Sequence, residues 1–311
     1  MDRKERAIGS ILGLAIGDAL GAPFEFRRRT QIAFPLPAFE LPWTFELPWM
    51  GLPPGTWTDD TAMARNLWRS LIEHEGTLDL DDVLRRHLAW LKSDPPDVGN
   101  QTRLALAEAA AGTPDPARAV FERRGPEVSA GNGSVMYCAP LGVVRALRPD
   151  ALIDEAPALS RLTHWDGRCQ TACLAITTAV AALVEGEASD AAVVGALACV
   201  ADREGGEELE FLVAEAGRSR QIDGPDQGFS LFTAGIGLQV VAEALDFEEG
   251  LRHVVGLGGD TDTNAAVAGA LLGALHGSSA IPTRWLDRLA EKDPIEQEAA
   301  ELAAVMTTAS P

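Results

Sequence analysis

Residues 7–21 read Ala-Ile-Gly-Ser-Ile-Leu-Gly-Leu-Ala-Ile-Gly-Asp-Ala-Leu-Gly, and glycine returns at every fourth position of this run. The bulky apolar residues follow the same helical period, which predicts an α-helix over 4–20. Glycines four residues apart share one face of a helix and let a second helix approach closely. A charged start before an apolar run also resembles a signal peptide, but Asp18 inside the run favours a core helix.

Helical character continues through the rest of the chain. Apolar periodicity or strong helix formers predict helices at 61–74, 80–92, 100–111, 139–147, 169–185, 190–201, 208–218, 232–245, 248–256 and 264–276. Convincing alternating β patterns are absent from the sequence, so we expect an all-α fold with one compact multi-helix domain over residues 1–311. The Pro- and aromatic-rich stretch 31–57 predicts a long ordered loop or a lid, and 112–130 resembles a linker of the same kind.

Composition weighs against several function classes. Hydrophobic residues at 46% and charged residues at 23% are ordinary for a globular protein, and no stretch beyond the N-terminal run looks long and apolar enough to span a membrane. A net charge of -20 repels a nucleic-acid backbone, so we expect no stable nucleic-acid binding. The four cysteines and five histidines lack metal-site spacing, which favours reduced, buried thiols and a cytoplasmic location over a zinc site.

Two acidic clusters stand about 200 residues apart: residues 58–61 read Thr-Asp-Asp-Thr, and residues 260–263 read Asp-Thr-Asp-Thr. Each cluster opens an Ala-rich run that is predicted to be a helix. Closely packed carboxylates repel one another unless they are protonated or bridged by cations, and oxygen ligands suit hard ions such as Mg²⁺ or Mn²⁺. Capping of the two helices is the alternative, because Thr and Asp are preferred N-cap residues, although one side chain suffices for a cap.

Six motifs occur in the order typical of one protein family. They are Gly-Leu-Ala-Ile-Gly-Asp-Ala-Leu-Gly (13–21) with Glu25, Trp-Thr-Asp-Asp-Thr (57–61), Asp-Val-Gly (97–99), Gly-Asn-Gly-Ser-Val-Met (131–136), Thr-His (163–164) and Gly-Gly-Asp-Thr-Asp-Thr-Asn (258–264). On these motifs the chain resembles the ADP-ribosylglycohydrolases. The resemblance implies an all-α fold and a metal-dependent hydrolase that cleaves the glycosidic bond between ADP-ribose and a modified protein side chain or a related conjugate. The acceptor and the oligomeric state stay open.

The resemblance also implies a dinuclear centre of two Mg²⁺ or Mn²⁺ ions that binds the ribose diol where the two helix starts converge. The implied ligands are Thr58, Asp59, Asp60, Asp260, Asp262 and Thr263, together with Glu25. Glu25 completes this set or gates entry of the substrate. Thr61 and Thr261 are expected to cap or support the ligands.

Asp97 is the implied catalytic carboxylate. It follows two prolines, which hold it extended, and it precedes Val-Gly at the head of a predicted helix. In the resembled family this element supplies a carboxylate that faces the scissile bond, and glycoside cleavage needs a carboxylate that activates water. A first-turn acid is the alternative role for Asp97, and Asp94 is a nearby rival. Whether Asp97 or Glu25 takes the proton stays open.

The predicted substrate contacts come from a glycine-punctuated turn and a histidine. The turn comprises Gly131, Asn132, Gly133 and Ser134, followed by Met136 in the same motif. Backbone N–H groups in such a turn can cradle a pyrophosphate or contact ribose, aided by a Ser hydroxyl, although Asn-Gly is also a common tight turn. The resemblance gives His164 a substrate-binding role only, while a lone His is more often structural.

Two segments depart from the family pattern. Residues 165–168, Trp-Asp-Gly-Arg, differ from the commoner version after Thr-His, so the preferred acceptor is open. The aromatic residues within 31–57 either stack on an adenine or simply pack.

Two other functions stay open at this point. One is a non-catalytic ADP-ribose-binding or structural protein of the same fold, like the relatives recruited as lens crystallins; the presence of every implied ligand and of Asp97 argues against it. The other is a nucleotide phosphohydrolase, which would release phosphate, whereas a glycohydrolase leaves the pyrophosphate intact. The expected partner is an ADP-ribosylated protein or an ADP-ribose conjugate.

Overall fold

The structure of the protein is a computed structural model that describes residues 1–32, 50–215 and 222–308. Within these ranges the chain forms fifteen α-helices: α1 Arg3–Gly21, α2 Asp59–Glu73, α3 Leu80–Lys92, α4 Asn100–Ala110, α5 Pro116–Arg124, α6 Ala139–Val144, α7 Leu152–Ser160, α8 Gly167–Glu185, α9 Ser189–Val200, α10 Gly206–Glu215, α11 Ser230–Ala242, α12 Phe247–Gly256, α13 Thr261–His276, α14 Thr283–Leu286 and α15 Lys292–Thr308. Two short strands, β1 Arg27–Arg28 and β2 Gly258–Gly259, pair antiparallel with Arg27 opposite Gly259. The predicted all-α class is confirmed.

Helices α1 and α13 lie backbone to backbone at the centre of the fold. A Cβ atom added to Gly9, Gly13, Gly17 or Gly21 would stand 2.3, 2.1, 1.9 or 2.2 Å from a carbonyl oxygen of α13. The opposing residues, in the same order, are Gly273, Gly269, Ala265 and Thr261, so the two helices run antiparallel. Only glycine allows backbones to come this close. The close helix partner predicted from the glycine repeat is therefore confirmed.

One hydrophobic core runs through the described helices. Its fully buried side chains include Leu14 of α1, Trp68 of α2, Ile176 of α8, Leu238 of α11 and Leu302 of α15. Burial of each such side chain contributes about 1.5–3 kcal/mol. An ion pair adds to the contact between α2 and α15, because the Arg65 guanidinium donates to both oxygens of Glu298 at 2.9 and 3.0 Å. These contacts anchor α2, whose first turn carries one acidic cluster.

The helices that the sequence did not predict start or continue through prolines. Residues 112–130, expected to be a linker, contain α5, whose first residue is Pro116. Proline is tolerated at that position because its missing N–H would be unpaired there anyway. Helix α7 contains Pro157, α14 follows Pro282, and α15 has Pro294 in its first turn. The linker prediction was wrong over α5.

The predicted loop or lid at 31–57 falls largely outside the described residues, which omit 33–49. Its final part is described, and it contacts Ala290 between α14 and α15. Gly55 O accepts a hydrogen bond from Ala290 N–H at 3.0 Å, and Trp57 Nε1 donates to Ala290 O at 3.1 Å. These contacts hold the residues that lead directly into α2.

Two helical segments, Arg3–Phe24 and Gly167–Glu185, are long and apolar enough to cross a membrane by length and composition alone. The second was not anticipated from the sequence. Within the fold, 89% and 72% of their most apolar windows are buried, as expected for helices at the centre of a packed core. The core-helix interpretation of the N-terminal run is confirmed by this burial.

Candidate active site

The starts of α2 and α13 meet beside the end of α1. In the first turn of α13, Thr263 donates its hydroxyl proton to Asp60 Oδ2 of α2 across 3.4 Å. The Thr261 hydroxyl donates to the carbonyl of Gly21 at the end of α1, at 2.8 Å. The two acidic clusters, far apart in sequence, therefore form one group of side chains, and Thr261 supports it as expected.

Helix capping accounts for only part of this group. Thr58 is the N-cap of α2, and its hydroxyl accepts a hydrogen bond from the Asp60 backbone N–H at 3.3 Å. Asp260 occupies the N-cap position of α13, yet its side chain makes no capping hydrogen bond. The Asp59 carboxylate accepts from the Gly99 N–H at 3.2 Å, outside its own helix. Capping therefore does not explain why both helix starts are doubly acidic.

Burial disfavours the charged forms of the carboxylates in this acidic group. Burial raises the pKa of Asp59, Asp60 and Asp262 well above the usual range, and neighbouring carboxylates raise these pKa values further. Asp60 Oδ1 and Asp262 Oδ1 are buried without a hydrogen-bond partner among the described residues. An unpaired buried charge is costly, so each oxygen is best accommodated by a proton or by a cation.

Two half-buried carboxylates join the group at the cavity. Glu25, Asp97 and Asp262 each offer an oxygen, and the three oxygens lie within 4.8 Å of one another. The carboxyl groups of Asp97 and Asp59 are in hydrogen-bonding contact, and burial raises the pKa of Asp97. All the candidate metal-ligand atoms are oxygens, which Mg²⁺ and Mn²⁺ prefer. The residues fit such cations, while the two-ion centre stays a prediction.

Asp18 is a further buried carboxylate beside the group, and the sequence motifs gave it no role. It accepts hydrogen bonds from the Thr58 and Thr61 N–H groups at 2.9 Å and from the Thr61 hydroxyl at 2.5 Å. Burial raises the pKa of Asp18 to about 6, while these hydrogen bonds oppose the rise. A charged residue inside an apolar helix was the available signal, since Asp is almost never fully buried without partners.

A cavity of about 860 Å³ opens onto the acidic group. Its lining includes the predicted ligands and catalytic residues Glu25, Asp59, Asp97, Asp260, Asp262 and Thr263. It also includes the predicted substrate residues Gly131, Asn132, Gly133, Met136 and His164. Among the described residues, Thr58, Asp60 and Ser134 are buried and do not line it. The volume lies within the ~300–1,000 Å³ typical of ligand pockets.

The glycines of the substrate turn lie against His164. A Cβ atom at Gly133 would stand 2.8 Å from His164 Cε1 and 3.0 Å from Thr102 Oγ1, whereas one at Gly131 would stand 3.5 Å from His164 Nε2. Burial lowers the pKa of His164 to about 4, so the ring is neutral at pH 7. His164 therefore shapes the turn as a neutral ring, and glycine at 133 is needed for the close contact.

Asn132 connects the substrate turn to the start of α13. Its side-chain Nδ2 donates to Asp260 Oδ2 at 2.9 Å and to Thr233 Oγ1 at 3.0 Å. The Thr233 hydroxyl donates in turn to Asn264 Oδ1 at 2.8 Å. Both amide protons of Asn132 are thus used within the protein. Its backbone N–H donates to Gly228 O at 2.9 Å, and its carbonyl accepts from the Val135 N–H at 3.0 Å, so a direct substrate contact by Asn132 is left to its side-chain oxygen.

Ser134 does not present its hydroxyl to the cavity as the predicted phosphate contact would require. The side chain is fully buried, and its Oγ lies 3.0 Å from Ser160 Oγ and 3.4 Å from Cys173 Sγ. The spacing of a polar turn does not reveal which side chains face a ligand, so the sequence could not distinguish the two orientations.

Phe229 and Phe232 form an aromatic wall of the cavity that no sequence motif indicated. Their ring centroids are 5.2 Å apart in an edge-to-face arrangement. The Arg168 guanidinium lies 5.6 Å from the centroid of Phe229 and pairs with Asp166 at 2.8 Å. Aromatic faces of this kind can stack on a nucleobase.

Comparison with known proteins yields one consistent result. A sequence model of the family described as ADP-ribosylglycohydrolase matches residues 1–311. The ADP-ribosyl-(dinitrogen reductase) glycohydrolase of Rhodospirillum rubrum is 34% identical over 297 residues, covering 94% of this chain and 92% of that protein. An ADP-ribosylarginine hydrolase of Serratia proteamaculans (strain 568) is 27% identical over 308 residues, covering 96% and 79%. A solved structure described as an ADP-ribosylglycohydrolase-related protein complex superposes with a TM-score of 0.73 at 33% identity, covering 98% and 99%.

Proposed function

Because the chain belongs to the ADP-ribosylglycohydrolase family, and two of its relatives are named as hydrolases of ADP-ribose conjugates, we propose that it is a metal-dependent hydrolase that cleaves the glycosidic bond between ADP-ribose and a modified protein side chain or a related conjugate. One observation carries the proposal. Two acidic helix starts from opposite ends of the chain meet at one cavity, and each contributes a buried carboxylate oxygen without a hydrogen-bond partner among the described residues.

The cation ligands of this proposal are the residues of the two helix starts. They are Thr58, Asp59, Asp60, Asp260, Asp262 and Thr263, with Glu25 at the cavity. Two Mg²⁺ or Mn²⁺ ions held there would orient the ribose diol, polarise its hydroxyls and favour loss of a proton from the attacking water. The oxygens of Asp60 and Asp262 that lack a partner within the described part of the chain support the assignment, because cation binding would relieve their unfavourable burial.

Proton transfer is assigned to the half-buried carboxyl pair Asp97 and Glu25. When water attacks the anomeric carbon, the bond to the acceptor atom breaks and its electron pair leaves with the acceptor. The attacking water must lose a proton, and the acceptor atom must gain one. Burial raises the pKa of Asp97 towards the working range of a proton-transfer group, so we favour Asp97 as the base.

The rest of the cavity is assigned to the nucleotide part of the substrate. Gly131 and Gly133 line it without side chains, so their backbone can approach a diphosphate or the ribose. His164 is neutral and offers a hydrogen bond rather than a charge. The wall formed by Phe229 and Phe232 offers a surface for the adenine.

The substrate is proposed to be an ADP-ribosylated protein, with arginine conjugates as the first to test. Two relatives carry names that describe action on modified dinitrogen reductase and on ADP-ribosylarginine. The net charge of -20 argues against a nucleic-acid acceptor. We place the enzyme in the cytoplasm, supported by its four free cysteines, and treat residues 1–311 as one catalytic domain.

The test is release of free ADP-ribose from an ADP-ribosylarginine protein, with Mg²⁺, with Mn²⁺ and with chelator. Mass spectrometry should find ADP-ribose with its pyrophosphate intact, and the chelator should abolish release. Asp59→Asn and Asp262→Asn should each lower the rate of release about 10²–10³-fold. Asp81→Asn is a matched control, because Asp81 is an exposed first-turn aspartate of α3 away from the cavity.

Other outcomes point to the alternatives. Release of phosphate or AMP would replace the proposal with a nucleotide phosphohydrolase. ADP-ribose binding without release from arginine, serine or small-molecule conjugates would favour a non-catalytic binding protein. Failure to bind ADP-ribose would contradict the proposal altogether.

A further inference from the structure

Helix α1 contacts both acidic helix starts. On one face, a Cβ atom at Gly17 would stand 1.9 Å from Ala265 O, and one at Gly21 would stand 2.2 Å from Thr261 O, so α1 touches the first turns of α13 directly. Asp18 lies between these two glycines in sequence and reaches the start of α2. One rigid helix is therefore the shared support of both starts.

The Asp18 carboxylate is fully engaged by the first turn of α2. Oδ1 accepts from the Thr58 N–H at 2.9 Å, and Oδ2 accepts from the same N–H at 3.0 Å. Oδ2 also accepts from the Thr61 N–H at 2.9 Å and from the Thr61 hydroxyl at 2.5 Å. Asp18 is fully buried and, among the described residues, does not line the cavity. Its contacts are therefore with the support of the site and not with the substrate.

Stability alone is a poor explanation for a carboxylate at this place. Asp18 lies close enough to Asp59 and Asp60 to repel both. A buried charge is costly, and the side-chain oxygen of a neutral Asn can also accept hydrogen bonds from N–H groups, so a purely structural role does not require a carboxylate. A carboxylate, however, makes stronger, shorter hydrogen bonds to N–H groups and fixes their direction more tightly. The arrangement favours positional accuracy over stability.

We propose that Asp18 is a positioning residue that holds the 58–61 turn where the two acidic helix starts can share divalent cations. It acts through Thr58 and Thr61 and is not itself a ligand. The inference rests on the metal-dependent function proposed above, and it adds a residue to which neither the motifs nor the cavity assigns a role.

The test is Mn²⁺ binding by calorimetry to the full chain without substrate, with folding checked by circular dichroism. Asp18→Asn should weaken Mn²⁺ binding about 10–100-fold, the usual effect of removing a residue that holds the metal ligands in place. Thr61→Val, which keeps the charge and the volume, should weaken it less. The double variant should bind no more weakly than Asp18→Asn, because Thr61 acts through Asp18.

Ser10→Ala is the matched control. Ser10 is also buried on α1, and its hydroxyl has no hydrogen-bond partner among the described residues. This variant should bind Mn²⁺ as the native chain does. A loss equal to that of Asp18→Asn would show that any change in α1 disturbs binding and would overturn the specific role of Asp18.

Three further results would overturn the inference. Native Mn²⁺ affinity in Asp18→Asn would do so and leave the proposed function intact. Weaker Mn²⁺ binding in Asp18→Asn together with native Mn²⁺ affinity in Thr61→Val would assign the effect to the missing charge alone. If Asp18→Asn does not fold, native Mn²⁺ affinity in Thr61→Val contradicts the proposal by itself. Absence of Mn²⁺ binding by the native chain would remove both the inference and the metal dependence of the proposed function.

Discussion

The two acidic helix starts are similar in sequence but are held in different ways. At the start of α2, Asp18 accepts hydrogen bonds from backbone N–H groups, so the main chain is held and its carboxylates follow. At the start of α13, Asn132 donates directly to the carboxylate of Asp260. The first support comes from the core helix α1, and the second comes from the turn predicted to hold the substrate.

This difference suggests that the two helix starts respond differently to a bound nucleotide. Helix α1 holds both starts, through Asp18 at the start of α2 and through direct backbone contact with the first turns of α13. The α13 start is connected to the substrate turn through the chain Asn132, Thr233 and Asn264. We therefore expect the α13 start to respond to a bound nucleotide and the α2 start to be nearly indifferent to it.

Neutralising one carboxylate at each start, chosen because one of its oxygens has no hydrogen-bond partner among the described residues, should have the largest effect. Asp60→Asn and Asp262→Asn should each lower kcat by about 10²–10³, the scale of losing one strong electrostatic contact in an active site. Both should also raise the free energy of unfolding of the metal-free protein, by about 0.5–2 kcal/mol, because a buried acid is replaced by a neutral amide. Steady-state kinetics and urea denaturation in chelator check both expectations. A native rate in either variant would remove that helix start from the site.

The pH dependence of the unfolding free energy should reveal the contribution of Asp18, which holds the start of α2. Burial raises the pKa of Asp18 to about 6, above the value near 4 of an unfolded aspartate. Its folded state therefore holds a proton more tightly, and this contribution to stability is complete below about pH 4 and is lost as the pH rises through about 6. Between pH 4 and 7, in chelator, the native chain should lose about 1–3 kcal/mol more unfolding free energy than Asp18→Asn. Parallel stability curves for the two proteins would contradict this.

Breaking the hydrogen-bonded connection between Asn132 and Thr233 at the start of α13 should weaken the coupling between ADP-ribose binding and Mn²⁺ binding. In the native chain, ADP-ribose should strengthen Mn²⁺ binding, since the turn and Asp260 share Asn132. Thr233→Val removes the hydroxyl that holds Asn132 and should reduce this coupling about tenfold. Thr61→Val, at the other start, should weaken Mn²⁺ binding yet leave the coupling unchanged. Calorimetric titration of Mn²⁺ with and without ADP-ribose measures the coupling. Equal coupling in Thr233→Val and Thr61→Val would refute the contrast between the two starts.

A single methyl group in the substrate turn should have the smallest effect. Gly133→Ala would place a Cβ atom 2.8 Å from His164, so the turn must shift, and ADP-ribose affinity should fall by about 1 kcal/mol. Gly131→Ala would meet His164 only at 3.5 Å, an ordinary contact, and should lose less. Equilibrium binding of ADP-ribose ranks the two variants. The reverse order would mean that the turn is not held against His164.

The sequence predicted the central helix pair because its physical cause is local. Glycine at every fourth position has few other uses than a close helix contact, and that contact is present. The helices after the acidic clusters were predicted to begin at 61 and 264, but they begin at Asp59 and Thr261. The predicted ranges thus leave out Asp59, Asp60 and residues 261–263, which lie in the first turns of these helices. Helices α5, α7 and α15 were not predicted; each contains a proline, which a first turn or the tertiary packing tolerates.

Motif order placed most of the predicted site residues at one cavity, although it could not supply their directions. Asp18 lies within a motif that gives it no role, because its partners, the Thr58 and Thr61 N–H groups and the Thr61 hydroxyl, are about 40 residues away. Ser134 was given a phosphate contact, but it faces the interior. Asn132 was assigned to the substrate, but its amide serves Asp260. Which way a side chain points depends on long-range packing, and one sequence contains no direct record of it.

The most direct test of the central claim is the anomalous diffraction of crystals of the native chain grown with Mn²⁺. If the two helix starts form one cation site, two strong anomalous peaks should lie between the carboxylates of Asp59 and Asp60 on one side and those of Asp260 and Asp262 on the other. Absence of peaks at this position at saturating Mn²⁺, or peaks confined to exposed acidic surfaces, would contradict the account.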